Sequence, residues 1–372
     1  MKKDAWTFSS NAIRLSCREW LGCAVLLVLA LTLGPRAWTV RERLDPGPAF
    51  RMPYELSEDY WLYTRWVRHA TATRPAVVFG DSVIWGAYVD ATNTLPACLN
   101  RLADRQLFAN LGVPGLHLAA AAGLAEYYTR ALRDKAVLVN LNPLWLSSRD
   151  VDLTGEEEAR VQHPGLVPQF RPRLACYRAE RGERITRVAS RYLPVLGFLS
   201  HLKVLYQDNL DLKSWISEHP AENPYRARDA LSRHVRESAS AQRDAVSWHK
   251  RGMKKQDFPW VTLDASFQWQ RFRAAIDVLR SRGNRVFVMV GPFNSHMMEP
   301  AALTKYTALR AGIERWLDNA KVPYCRAPDL PSDVFTDASH TTAAGYELIA
   351  EHLFADASFK AWLAPAEREG TK

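Results

Sequence analysis

Metal-binding and redox cysteine patterns are missing from this sequence. Its five cysteines, Cys17, Cys23, Cys98, Cys176 and Cys325, form no CxxC pair and no zinc-ligand spacing, so nothing in their placement suggests a metal site or a bound cofactor. Cys17 and Cys23 lie in or beside an apolar segment, and the other three allow at most one disulfide and a spare thiol. No internal repeat, no low-complexity tract and no nucleic-acid recognition motif is visible. Hydrophobic residues at 47% against 24% charged residues also set disorder aside. The 372 residues are enough for one large domain or two small ones, either with a substantial core. Thirteen tryptophans are many for this length, but the residue serves membrane interfaces, sugar-facing clefts and cores alike.

The formal charge is +9, and residues 159–255 carry nineteen Lys/Arg against nine Asp/Glu, a surplus of ten. The excess therefore sits in one middle segment. Such a stretch can face anionic headgroups, an acidic polymer or nucleic acid, or be a solvated basic helical surface.

Only one long apolar run is uncharged, WLGCAVLLVLALTLG at 20–34, preceded by Lys2, Lys3, Arg14 and Arg18. It is short for a span of about 20 residues, although Ala37, Trp38 and Val40 extend it past Arg36. Positive charge on its N-terminal side predicts that this end stays in the cytoplasm. A cleaved signal peptide competes, but LTLGPRAW offers no good small-x-small site. The expectation is a cytoplasmic tail over 1–18, a signal anchor over 19–40, and a proline-bearing stalk over 41–59. The chain would be a single-pass protein of the cytoplasmic (inner) membrane with its bulk on the periplasmic or extracytoplasmic side, in contact with the membrane and not with nucleic acid.

Beyond the stalk, short apolar runs alternate with longer amphipathic ones. Candidate strands are 76–79, 107–110, 136–141, 285–290 and 322–325, with helical patterns over 117–133 and 267–282. Strand–helix alternation with continuous apolar strands predicts an α/β fold with a parallel sheet covered on both faces. Between the third and fourth strands, residues 151–260 break the rhythm and read as a long, mostly helical insertion, a cap or lid beside the site.

Four stretches carry chemistry. The first strand runs into Gly80-Asp81-Ser82, which puts a serine at a strand's carboxyl end before a helix. Near the other end stands Asp337-Ala-Ser-His340. A serine needs a base, and a histidine base needs a carboxylate to fix its tautomer. Asn110-Leu-Gly112-Val-Pro-Gly115 follows the second strand, where a glycine lets a backbone N–H approach a substrate oxygen. Asn142 follows the third strand and has an amide to donate. Each stretch is weak alone, but their positions at successive strand ends converge on one cleft. His117 and His296 also follow strands and are rival bases, though neither has an aspartate three residues before it.

GDS, NLGVPG, Asn142 and DASHTTAAGY together resemble the four signature blocks of the SGNH (GDSL-like) hydrolase superfamily, over roughly 75–145 and 285–355. The resemblance implies a three-layer α/β/α, flavodoxin-like catalytic domain over 60–372. It implies Ser82 as nucleophile, His340 as base, Asp337 orienting it, and an oxyanion hole from Ser82 N–H, Gly112 N–H and the Asn142 side chain. Typical members carry GxND in the third block; here Asn140 replaces the glycine and Pro143 the aspartate, and the Asn140 side chain is the alternative donor. The anchor, the insertion, the Pro-x-Trp after the third strand and Gly-Pro-Phe-Asn at 291–294 resemble DltD-type envelope-polymer acylation proteins. That likeness implies a serine O-acyltransferase or esterase working on acetyl-type esters of a cell-envelope or secreted glycopolymer. Its partners would be an acyl-ester donor, a glycan acceptor and a membrane-bound O-acyltransferase. A plain carbohydrate or lipid ester hydrolase and a catalytically silent polymer-binding scaffold are the competing functions.

Overall fold

In a computed structural model of the chain, residues 15–226, 229–240 and 245–369 are described, apart from the side chains of 237–240 and 369. The chain divides into two units, one ending at Arg43 and the other beginning at Leu44. The first is helix α1 (Cys17–Arg41), which opens on a capping box where Ser16 and Glu19 each bond the other's backbone. Its 25 residues, with an apolar interior, make it long and apolar enough to cross a membrane. They rise about 37 Å, against a hydrocarbon core of about 30 Å. The predicted span of 19–40 lies inside it.

The second unit is built on five parallel strands, β1 (Ala76–Gly80), β2 (Phe108–Gly112), β3 (Ala136–Leu141), β4 (Arg285–Val290) and β5 (Tyr324–Arg326), in the order 2-1-3-4-5. All residues of β1, β2 and β3 are buried, as continuous apolar runs between two helical layers must be. β5 begins two residues later than its apolar pattern, because Pro323 has no N–H to give the ladder.

The helices are α2 (Tyr60–Thr73), α3 (Ser82–Trp85), α4 (Leu95–Leu102), α5 (Leu118–Tyr128), α6 (Arg181–Tyr192), α7 (Pro194–Tyr206), α8 (Leu212–Glu218), α9 (Ala230–Ser240), α10 (Phe267–Arg280), α11 (Pro300–Asn319), α12 (Ala343–Ala355) and α13 (Ala357–Glu369). One sheet face packs Val78, Leu138, Phe287 and Met289 against Leu99, Ile349, Leu353 and Phe359 of α4, α12 and α13. The other is covered by α2, α5 and α10. There Tyr63 and Trp66 reach down from α2 to donate to the Leu111 and Asn110 carbonyls. The result is the expected three-layer α/β/α, flavodoxin-like architecture. Because β2 and β3 lie on opposite sides of β1, the chain order reverses at the carboxyl end of β1, where such folds leave a crevice.

Two expectations change. The stretch 41–59 is not a free stalk, because from Phe50 onward the chain is packed into the second unit. Phe50 rests on Trp66 with ring centroids 4.4 Å apart, and Met52 and Leu56 are buried. Prolines 46, 48 and 53 fix backbone angles there, but the apolar residues among and after them still find the core. The regular structure of the 151–260 insertion is helical, α6 to α9, but 151–180 and 245–260 run as turns and loops, and the segment is not simply a lid. Helices α6 and α7 extend the layer formed by α5 and α2, pinned by the buried pair His201 and Asp59 at 2.5 Å. Residues 160–163 and 247–256 of the insertion instead contact the loops that border the crevice: His163 bonds the Pro114 carbonyl and Trp248 that of Phe335.

Candidate active site

Strand β1 delivers a serine into the crevice. Gly80 has no room for a side chain, since a Cβ would fall 2.6 Å from Ile84 Cγ1 and 2.9 Å from Asn140 Cβ. Asp81 caps α3 by accepting the Val83 N–H at 2.9 Å, and the short helix ends on Gly86 at φ +89°. Ser82 is thus the first residue of a helix turn, and its own N–H has no acceptor among the described residues.

The segment before α12 closes on itself. Phe335 and Thr341 form an antiparallel bridge, and the Thr336 N–H donates to the His340 carbonyl at 2.9 Å. Asp337 Oδ1 accepts the N–H groups of Ser339 and His340 at 3.0 and 2.9 Å. Two ties fix this loop against the rest of the site. Tyr346 of α12 donates its hydroxyl to the Val83 carbonyl at 2.8 Å. Asn294, buried after β4, donates its N–H to Ala338 O and its amide to Asp337 O at 2.8 and 3.1 Å.

These supports bring Ser82, His340 and Asp337 into one chain of hydrogen bonds. Ser82 Oγ lies 2.7 Å from His340 Nε2, and His340 Nδ1 lies 2.9 and 2.8 Å from the two Asp337 oxygens. A carboxylate only accepts, so Nδ1 carries the proton and Nε2 is left to accept from the serine. Burial pulls the His340 pKa down, but the hydrogen bond and charge of Asp337, helped by Asp81, outweigh it and leave the imidazole above its ordinary value. Burial works to raise Asp337, yet its bonds to His340 and to the loop N–H groups hold it below the usual carboxylate range. All three residues are only partly buried, so a reactant can reach them.

The expected oxyanion donors divide. The N–H of Gly112 is not free, because Asn110 Oδ1 accepts it at 2.9 Å in a local turn. Gly112 does permit a close approach, but by α3: a Cβ would sit 2.3 Å from the Trp85 nitrogen. Asn142 is buried at the end of β3; its amide donates to Asp81 Oδ2 at 2.8 Å and its oxygen accepts the Leu144 N–H. An amide has two N–H bonds, so one remains. The alternative donor Asn140 is committed elsewhere, to the Gly291 carbonyl at 2.5 Å.

Asp81 was only part of a motif in the sequence, but it organises this corner. Burial raises its pKa against the pull of Val83 N–H, Asn142, the His340 charge and Trp145. The Trp145 indole donates to the same oxygen as Asn142, at 2.7 Å. Sequence reasoning also missed Arg51, whose buried guanidinium donates to the Trp85 and Gly86 carbonyls at 3.1 and 2.7 Å and lies 4.0 Å from the Trp85 ring centroid. No local signal marks that residue. Asn294 was findable, as a polar residue just past a strand end like Asn142.

The rival histidines are engaged elsewhere. His117 caps α5 and bonds the Gln162 carbonyl; burial pushes its pKa down to about 4. His296 bonds the Leu330 carbonyl. Compared with protein-family models and with curated proteins, the chain matches none.

Proposed function

We propose that this chain is a membrane-anchored serine acyl-transfer enzyme of the SGNH (GDSL-like) type. The observation that carries the proposal is the unbroken chain from Ser82 Oγ through His340 to Asp337. A hydroxyl bonded to a neutral imidazole whose other nitrogen is held by a carboxylate is the arrangement that activates serine as a nucleophile.

In the first step Ser82 Oγ bonds the ester carbonyl carbon while its proton passes to His340 Nε2. The oxyanion forms against the Ser82 N–H and the second N–H of Asn142. The alkoxide leaving group then departs with the proton from His340, and the acyl group remains on Ser82. In the second step a hydroxyl acceptor gives its proton to His340, attacks the acyl carbon, and Ser82 leaves as the hydroxyl. Asp337 stays ionised and steadies the imidazolium in both steps. One oxyanion donor contributes about 3 kcal/mol, on the order of a hundredfold in rate.

The acceptor in our reading is a hydroxyl of an extracytoplasmic glycopolymer, and the acyl donor an acetyl-type ester, handed over by a membrane-bound O-acyltransferase. Four positive charges before the apolar run at 20–34 and none within it favour a cytoplasmic N-terminus. The test uses the full chain in detergent with a fluorophosphonate probe and intact-mass detection. One adduct is expected on the wild type and none on Ser82→Ala. No adduct on either protein would leave the scaffold reading in its place. With an acyl ester and an oligosaccharide supplied together, acylated sugar is the expected product; free acid alone would make the protein a hydrolase.

A further inference from the structure

Beside the base runs a loop that the reaction chemistry does not use. Residues 245–256 hold His249, Lys250, Arg251, Lys254 and Lys255 and no Asp or Glu, and all five are exposed. A run of lysines is ordinarily a solvated surface, but this one is tied at one end to the segment that presents the base and at the other to the turn before α11. The Trp248 N–H donates to Phe335 O at 2.9 Å, its indole to Ser332 O at 3.1 Å, and Arg251 to Thr336 O at 3.1 Å. At the far end the Gln256 N–H donates to Met297 O at 2.7 Å, and Glu299 donates back to Gln256 O. Phe335 and Thr336 belong to the closed segment that presents Asp337 and His340, so the loop is fixed along the base side of the crevice.

Arg251 connects this loop to the chemistry. Its guanidinium lies 5.3 Å from the Tyr88 ring centroid, and the Tyr88 ring meets His340 edge-on at 5.5 Å. Tyr88 holds φ at +67°, a region that costs a non-glycine residue energy and concentrates at functional sites. Among the described residues no carboxylate forms a salt bridge with Lys250, Arg251, Lys254 or Lys255. Arg251 is thus held by the Thr336 carbonyl and the Tyr88 ring, a single ring away from the base, and Lys250, Lys254 and Lys255 are exposed on the same loop.

We infer that the loop 249–255 is a subsite for an anionic glycan, which it would hold so that a sugar hydroxyl lies beside Ser82. Cations clustered on one loop beside a cleft concentrate a polyanion by long-range attraction, and the guanidinium N–H groups of Arg251 not given to Thr336 O suit a carboxylate or phosphate oxygen. The glycan's role as acyl acceptor rests on the function proposed above; the binding itself does not.

The test measures binding by fluorescence anisotropy with the full chain in detergent. Three labelled probes are compared: an oligogalacturonate, a phosphate-bearing oligosaccharide and a neutral maltooligosaccharide. At least one acidic probe is expected to bind, more weakly as salt rises, and the neutral one to bind far less. The tighter acidic probe identifies the anion. The variant Lys250→Gln/Arg251→Gln/Lys254→Gln/Lys255→Gln should weaken acidic binding about tenfold or more, since four exposed charge contacts are lost. Its thermal midpoint checks that it folds. A control variant, Arg171→Gln/Arg173→Gln/Arg178→Gln, removes exposed cations from the same insertion and should bind as the wild type does. Equal binding of the neutral probe, no acidic binding, or equal weakening in the control overturns the inference. Acidic binding with no fluorophosphonate adduct on Ser82 would keep the subsite and remove the acyl-transfer reading. An adduct with no acidic binding would do the reverse.

Discussion

Each residue of the hydrogen-bonded chain has one job that a conservative substitution can isolate. Asn in place of Asp337 keeps an oxygen to accept the two loop N–H groups, so the loop should survive. An amide can, however, donate to Nδ1 and so favour the tautomer whose Nε2 already bears a proton, useless as a base toward Ser82. Asp337→Asn is therefore expected to cut turnover of a chromogenic acetyl ester by about 10⁴ with little change in melting temperature. A rate within tenfold of wild type would count against the role given to Asp337. The same carboxylate sets the pH profile. Protonated His340 cannot take the serine proton, so kcat/KM should fall as pH drops through the His340 pKa. Because that pKa is raised despite burial, the midpoint of the acid limb should lie above the ordinary histidine value. A limb centred below that value would point to another base.

Elements were legible where a pattern had nowhere else to go. Uninterrupted runs such as Ala76–Phe79 and Arg285–Val290 fit only a two-sided buried sheet; Ser82 was placed at its crevice by a strand end, and His340 by its spacing from Asp337 in a loop before a helix. Hydrogen-bond competition was not legible. The sequence shows that Gly112 leaves room for something, but not that Asn110 takes its N–H or that α3 occupies the room. Asn110 also donates its amide to the Ile84 carbonyl at 2.9 Å, so the end of β2 grips the turn that bears Ser82 from two sides. Gly112→Ala separates the two roles, since alanine keeps the N–H and adds only a methyl group. Contact with Trp85 backbone should cost about 1–3 kcal/mol of stability and displace Ser82, lowering both the denaturation midpoint and the rate. Unchanged stability with a small loss of rate would restore Gly112 as a simple oxyanion donor.

At the scale of the whole molecule, the segment that continues the chain from α1 to α2 braces the turn that bears Ser82. The Trp85 indole donates to Met52 O at 2.7 Å while Arg51 holds the carbonyls of Trp85 and Gly86, so the helix that begins with Ser82 is clamped at its C-terminal end by the segment before α2. This clamp was invisible in a stretch whose prolines suggested a tether, because its partners stand some thirty-four residues away in sequence. The consequence is a sharp truncation boundary. A chain beginning at Leu44 keeps Phe50, Arg51, Met52 and Leu56, and should unfold cooperatively in aqueous buffer and react with a fluorophosphonate. A chain beginning at Tyr60 loses all four. Exposing the surface that Phe50, Met52 and Leu56 cover removes about 5 kcal/mol from a domain whose total stability is on the order of 10 kcal/mol. It should melt well below the longer fragment and label poorly at Ser82. Equal melting temperatures and equal labelling of the two fragments would show that 44–59 is a tether after all, and that the turn bearing Ser82 holds its shape without Arg51.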